Sequence, residues 1–227
     1  MTDQSPLQFT ESPIEYAKDN TTLLCGVIGL IGCAVVSMSH LLAMLLVPGH
    51  NFMRDTISDL AAGPYGWVQD IGLIIYAVSL IFCAIGLKAW NLDGDDFGWN
   101  LGLTLLVIVG LDVLVIAAYN EYGNRDPGGV VIHIYLVYIL GFGFAATTWL
   151  IGRGLRHLRA WMYKVSVAIA IIWLCLAPPF LMLPTQWDGG YERLLAGILV
   201  GWSVGISWLL LQHGRGAITT QNEMHSS

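Results

Sequence analysis

The stretch TLLCGVIGLIGCAVVSMSHLLAMLLV, residues 22–47, decides what kind of protein this is. It contains no lysine, arginine or carboxylate, and it exceeds the roughly 20 apolar residues a helix needs to cross a hydrocarbon core of about 30 Å. Further apolar runs follow at 71–87, 99–119, 130–151, 165–183 and 194–211. In lipid a backbone must satisfy its own N–H and C=O groups, so runs of this length become helices. The sequence therefore predicts an all-α, polytopic transmembrane helical bundle with six spans.

Composition agrees. The 227 residues are 56% hydrophobic and 11% charged, where a soluble domain carries about a quarter charged residues. The six spans form one domain, 22–212, flanked by polar tails at 1–21 and 213–227. The first tail holds Asp3, Glu11, Glu15 and Asp19 against Lys18, the wrong charge for a secretory signal, so the first span is expected to stay. Cys25, Cys33, Cys83 and Cys175 lie in apolar runs and read as small apolar side chains.

Basic residues orient the bundle. Lys18, Lys88, Arg153, Arg156, Arg159, Lys164 and Arg215 fall on the side of the two tails and the even links, and Arg54, Arg125 and Arg193 on the other. Basic residues near span ends stay cytoplasmic, so both termini are expected inside a cell's inner (plasma) membrane. Arg153, Arg156 and Arg159 then read as an anchor for anionic headgroups rather than as a nucleic-acid contact. Trp67 and Trp187 on the outer side, and Trp90, Trp99, Trp149 and Trp161 on the inner, are expected in the interfacial aromatic belts.

The outer links carry the more complex sequence. The first reads His50-Asn51-Phe52-Met53-Arg54-Asp55-Thr56-Ile57-Ser58-Asp59-Leu60, where a short helix would present Arg54 and Ser58 together and either Thr56 or Ser58 could cap it. The third reads Asn120-Glu121-Tyr122-Gly123-Asn124-Arg125-Asp126-Pro127-Gly128-Gly129, a run of turn formers, with His133 about one helical turn into the fourth span. An imidazole there either exchanges protons and accepts a ligand or bonds a neighbouring helix. The fifth reads Trp187-Asp188-Gly189-Gly190-Tyr191-Glu192-Arg193, whose last two residues are either part of a site or a snorkelling pair.

Ile57-Ser58-Asp59-Leu60 after the first span, His133 entering the fourth a few residues after Asp126, and Gly190-Tyr191-Glu192-Arg193 opening the last together resemble the prokaryotic six-helix membrane family called domain of unknown function 998. The resemblance runs from the first span to the last. It implies a membrane bundle and carries no established activity.

Within the spans, Asp112 is costly at about 2.5 to 3.5 kcal/mol if ionised, and His40 lies at a matching depth. A hydrogen bond between them would be a structural clamp or the inner end of a polar pocket that opens outward past His133. Gly197, Gly201 and Gly205 repeat every four residues, and Gly26, Gly29 and Gly32 every three, so both stripes are expected to bury against neighbouring helices or another subunit. Pro178 and Pro179 should kink the fifth span.

Phosphate-loop, HExxH, CxxC and serine-elbow motifs are absent from the sequence. No residue spacing names a metal site, and the sequence leaves any cofactor unknown. Three readings follow. The leading one is a protein whose outward-facing polar pocket, with Arg54, Arg193, Glu192, Asp112 and His40 as ligand-binding residues, takes a lipid or small amphiphile. Membrane lipids are its expected partners, with a membrane protein or a second copy docking on the glycine-rich faces as an accessory assembly. The second is a membrane enzyme on a lipid-like substrate, with His133, Asp126, Asp59 and Ser58 as catalytic candidates and Arg54 and Arg193 holding an anionic head. The third is a proton-coupled transporter relaying through Asp112 and His40.

Overall fold

A computed structural model describes residues 13–90, 96–119, 132–156, 159–180 and 186–226. The described residues form seven helices: α1 (Pro13–Leu46), α2 (Ile57–Ala62), α3 (Gly66–Trp90), α4 (Phe97–Ala118), α5 (His133–Leu155), α6 (Ala160–Phe180) and α7 (Asp188–Ser226). All but α2 contain a segment long and apolar enough to cross a membrane. The six expected spans are therefore the six long helices. α2 is a single short helix in the first link, and α1 and α7 continue beyond the apolar runs into the segments read as tails.

The long helices close a ring: α1 packs on α3 and α7, α3 on α4, α4 on α5, α5 on α6, and α6 on α7. Small residues set the tightest seams, as expected where lipid supplies no hydrophobic drive between helices. A Cβ on Gly26 would lie 2.5 Å from the backbone nitrogen of Leu211, and Cβ atoms on Gly29 and Gly32 would collide with Ser207 and Ser79. The first-span glycine stripe is thus spent inside the bundle, against α7 and α3. Buried hydroxyls there bond backward along their own helices, Ser207 to the carbonyl of Ser203 and Ser79 to that of Tyr76, both at 2.7 Å. Between helices, the Tyr76 hydroxyl and Ser203 Oγ lie 2.7 Å apart, and Trp202 Nε1 donates to Ser166 Oγ at 3.0 Å.

The other stripe behaves differently. Cβ atoms on Gly197 and Gly201 would meet nothing within 4 Å, and only Gly205 of that set approaches a neighbour, Met162. The expectation that this face buries against a helix is corrected: its upper two glycines border open space within the ring. Trp99 is also corrected. It is 1% exposed in the main core cluster, not in an interfacial belt, because α4 turns it inward at its first turn. α6 stays helical through Pro178 and Pro179 to Phe180. Near that pair the Tyr191 hydroxyl of α7 donates to the carbonyl of Leu176 at 2.8 Å.

The first link is built by local chemistry. Thr56 caps α2: its Oγ1 accepts from the Asp59 amide at 2.9 Å, and Asp59 Oδ2 accepts from the Thr56 amide at 2.7 Å. This reciprocal capping box chooses Thr56 over Ser58 as the cap and leaves the Ser58 hydroxyl free to face the bundle.

Candidate functional site

Within the ring lies a cavity of about 880 Å³. Its walls are mostly apolar, formed by residues such as Leu73, Ile116, Leu140, Trp173 and Leu199. Along α7 the lining runs from Asp188 to Gly201, about 20 Å at 1.5 Å per residue. Gly197 and Gly201 keep side chains out of it. Its charged side chains Asp188, Glu192 and Arg193, with His133, lie at the end that carries the first, third and fifth links, while Ser37 and Tyr76 line it deeper in the spans.

Ser58, Glu192 and His133 meet at that end, from α2, α7 and α5. Ser58 is 8% exposed, and its Oγ lies 3.1 Å from His133 Nε2 and 3.2 Å from Glu192 Oε1. Glu192 Oε2 accepts the Ile57 amide, so one carboxylate ties the start of α2 to the start of α7. His133 Nδ1 lies 3.2 Å from the carbonyl of Tyr119. A carbonyl only accepts, so the neutral ring carries its proton on Nδ1 and Nε2 is an acceptor. Together with Glu192 Oε1 this gives the single Ser58 hydroxyl hydrogen two acceptors, the carboxylate taking it in the resting site.

Beside this group Arg193 makes a second cluster. Its Nε donates to His40 Nε2 at 3.1 Å, its Nη1 to the carbonyls of Phe52 at 2.9 Å and Asp55 at 2.8 Å, and its Nη2 lies 2.9 Å from His50 Nε2. The Phe52 ring lies under the guanidinium, 4.8 Å from ring centre to Cζ. His40 Nδ1 in turn reaches Gln69 Oε1 at 3.3 Å. Arg193 thus fastens the first link to α1 and α7 through neutral acceptors. Gly189 and Gly190 allow this approach: the Gly190 amide donates to the carbonyl of Met53 at 3.0 Å, and a Cβ on Gly189 would collide with the carbonyl of Asp55.

Burial, and then the neighbouring Arg193, push the His50 imidazole below its ordinary 6.5. The Asp55 carboxyl is held below the usual range, first by its bond from Arg54 Nε at 2.7 Å and then by the Asn51 amide, and Arg54 is raised in return.

The residues singled out from sequence therefore separate. Ser58, His133, Glu192, Arg193 and His40 line the cavity. Asp59 is spent on the α2 cap. Arg54 is paired with Asp55 and lies outside the lining, in the stretch preceding α2 rather than on one helix with Ser58. Asp112 is 6% exposed, does not line the cavity and makes no hydrogen bond to His40, whose two ring nitrogens go to Gln69 and Arg193. Asp126 and Arg125 lie outside the described residues. Among the described residues no group of histidines, cysteines and carboxylates is arranged to hold a metal ion.

Sequence reasoning missed Gln69, His50 and the Tyr119 carbonyl. Gln69 carried a signal, a polar side chain at the start of an apolar run. The Tyr119 carbonyl carried none, since a backbone acceptor leaves no trace in residue type.

Residues 30–209 match the model of a family described as a protein of unknown function, DUF998. No curated protein and no solved structure matches the chain.

Proposed function

The chain belongs to the DUF998 family, and on the geometry of its cavity we propose that it binds a lipid or small amphiphile, tail between the helices and head among Ser58, His133 and Glu192. The observation that carries this reading is the cavity itself. Its volume of about 880 Å³ lies within the range of small-molecule sites, as does the pattern of apolar walls with a few convergent polar groups. Membrane helices ordinarily close on one another where small residues allow it, whereas here Gly197 and Gly201 border the void.

The distribution of lysine and arginine supports placing the polar end outside the cell and both termini in the cytoplasm. The head group meets acceptors more than donors. The donors of Arg193 are largely engaged by its own chain, so its part is to hold the first link, while Glu192 and Asp188 bring carboxylates to the lining. A head that donates hydrogen bonds, a hydroxyl or an amine, suits that wall better than an anionic one.

An accessory role has less support. It relied on glycine-rich faces for docking, yet Gly26, Gly29 and Gly32 are used within the chain, and Gly197 and Gly201 border the cavity.

The test is native mass spectrometry of the protein purified in mild detergent, with identification of released lipids, for wild type and Gly201→Leu. The leucine has open space to enter, so the fold should persist while the cavity fills. A co-purifying amphiphile lost in the variant supports the pocket. Equal retention by both proteins, at equal thermal stability, rules this cavity out as the binding site.

A further inference from the structure

We propose that Ser58 and His133 are a nucleophile and its base, cleaving an ester in the amphiphile that the cavity holds; this rests on the pocket reading above. The Ser58 hydroxyl and His133 Nε2 are 3.1 Å apart, and both residues line the cavity. A serine is activated when its proton can pass to a base within such reach, and the base must itself be oriented by a third group. Here the orienter is the Tyr119 carbonyl, 3.2 Å from His133 Nδ1.

That carbonyl suits the task. Tyr119 is the C-cap of α4, and the last carbonyls of a helix lack intrahelical donors and carry partial negative charge. They favour the imidazolium that forms when His133 takes the serine proton, a part that a carboxylate plays in other serine hydrolases. Glu192 accepts the Ile57 amide and, in the resting site, the Ser58 hydroxyl hydrogen at 3.2 Å, which fixes the start of α2 and with it the serine; for attack that hydrogen turns to His133 Nε2, 3.1 Å away. The placement along the cavity fits as well. Ser58 lines the cavity together with apolar neighbours of its own helix, Ile57 and Ala61, so an ester joining head to tail can reach its hydroxyl.

The reaction balances with water as the only co-reactant. Ser58 Oγ bonds to the acyl carbon as its proton moves to His133 Nε2. The carbonyl π pair moves to oxygen and returns as the C–O bond to the alcohol breaks, the alcohol leaving with the proton from His133. Water then gives a proton to His133, bonds the acyl carbon and releases the acid, and Ser58 Oγ recovers its proton.

The test uses the full chain in detergent micelles and an alkyl fluorophosphonate bearing a chain of about ten carbons, which phosphonylates activated serines. Binding is followed separately with a dansyl-labelled dodecyl ether, which has no ester to cleave. One adduct per chain is expected, mapped by peptide mass to Ser58. It should disappear in Ser58→Ala, form at least about 100-fold more slowly in His133→Gln, and persist in Arg54→Ala. Peptide mapping on the wild-type protein decides the matter even where a variant fails to fold. An adduct on another residue, or ether binding without any adduct, overturns the catalytic proposal and leaves the pocket standing. Neither binding nor adduct overturns both.

Discussion

Arg193 Nε donates to His40 Nε2 across 3.1 Å, and His40 turns its Nδ1 toward Gln69 Oε1. An arginine offers only donors, so His40 must present a lone pair on Nε2 and carry its proton on Nδ1. One guanidinium thereby sets a histidine tautomer on α1 while its other nitrogens hold the first link over the bundle. The serine at the cavity lies on the short helix that this link begins.

Arg193→Lys should therefore loosen the first link although it keeps the charge. An ammonium cannot span two carbonyls and two imidazoles with the forked geometry of a guanidinium. With hydrogen bonds from a charged donor each contributing about 1.5 to 3 kcal/mol, the lysine variant should lose about 2 to 4 kcal/mol and the alanine variant more. Thermal unfolding in detergent and hydrogen exchange at amides 50–57 measure it. Exchange in Arg193→Lys no faster than in wild type would show that the capping box and the Gly190 bond hold the link alone.

Acid should weaken the same link through His50. Its side chain is 7% exposed, and burial and Arg193 lower its pKa in the fold below the 6.5 of the unfolded chain. The folded state then binds fewer protons than the unfolded state as pH drops below 6.5, so stability is complete above that value and declines toward the lowered pKa. Asp55 acts with the same sign in a more acidic window: its folded pKa also lies below the unfolded value, here 3.8, so its contribution is lost only as pH falls through that lower range. The melting temperature should fall between pH 7.5 and pH 5, and His50→Gln, which keeps an acceptor, should flatten that slope. An unchanged slope in the variant would remove His50 as its source.

Glycines that look alike in sequence should respond in opposite ways. Gly189→Ala sets a methyl group against the carbonyl of Asp55, a backbone atom that can yield only if the link shifts, at a cost of about 1 to 3 kcal/mol. Gly197→Ala meets nothing within 4 Å and removes a flexible residue from a helix, so it should be neutral or stabilising by up to about 1 kcal/mol. Melting temperatures of the two variants against wild type decide. Equal destabilisation would mean that the open space beside Gly197 is filled in the real bilayer.

That contrast shows where sequence reading stops. The spans were legible because bilayer thickness and backbone desolvation force long apolar runs to be helical, and Thr56 with Asp59 follows a local capping rule. Ser58 and His133 were each legible as chemistry-bearing side chains, but they are 75 positions apart, and their meeting depends on the order of helices around the ring. The stripe from Gly197 to Gly205 has the same spacing whether it faces a helix or a void. Trp99 near a span end reads as interfacial until the rotation of α4 is known. Arg193 was visible as a cation near the polar end, but its neutral partners at His40, His50 and two carbonyls were not, since a charge suggests a counter-charge.

Asp112 yields the last prediction. It is 6% exposed, and Oδ2 is buried with no hydrogen-bond partner among the described residues. A buried polar atom left unsatisfied costs about 1 to 3 kcal/mol, while an apolar group of similar shape at the same place incurs no such penalty. Asp112→Leu should then be neutral or stabilising, by up to about 2 kcal/mol, and should leave amphiphile binding unchanged because the residue does not line the cavity. Thermal unfolding together with ether binding checks both halves. Loss of stability would mean that Asp112 has a partner outside the described residues, such as the third link. Loss of binding at unchanged stability would bring the carboxyl back into the site and revive a proton-relaying role, because a carboxyl whose buried Oδ2 makes no hydrogen bond among the described residues would then be needed only when a ligand is present.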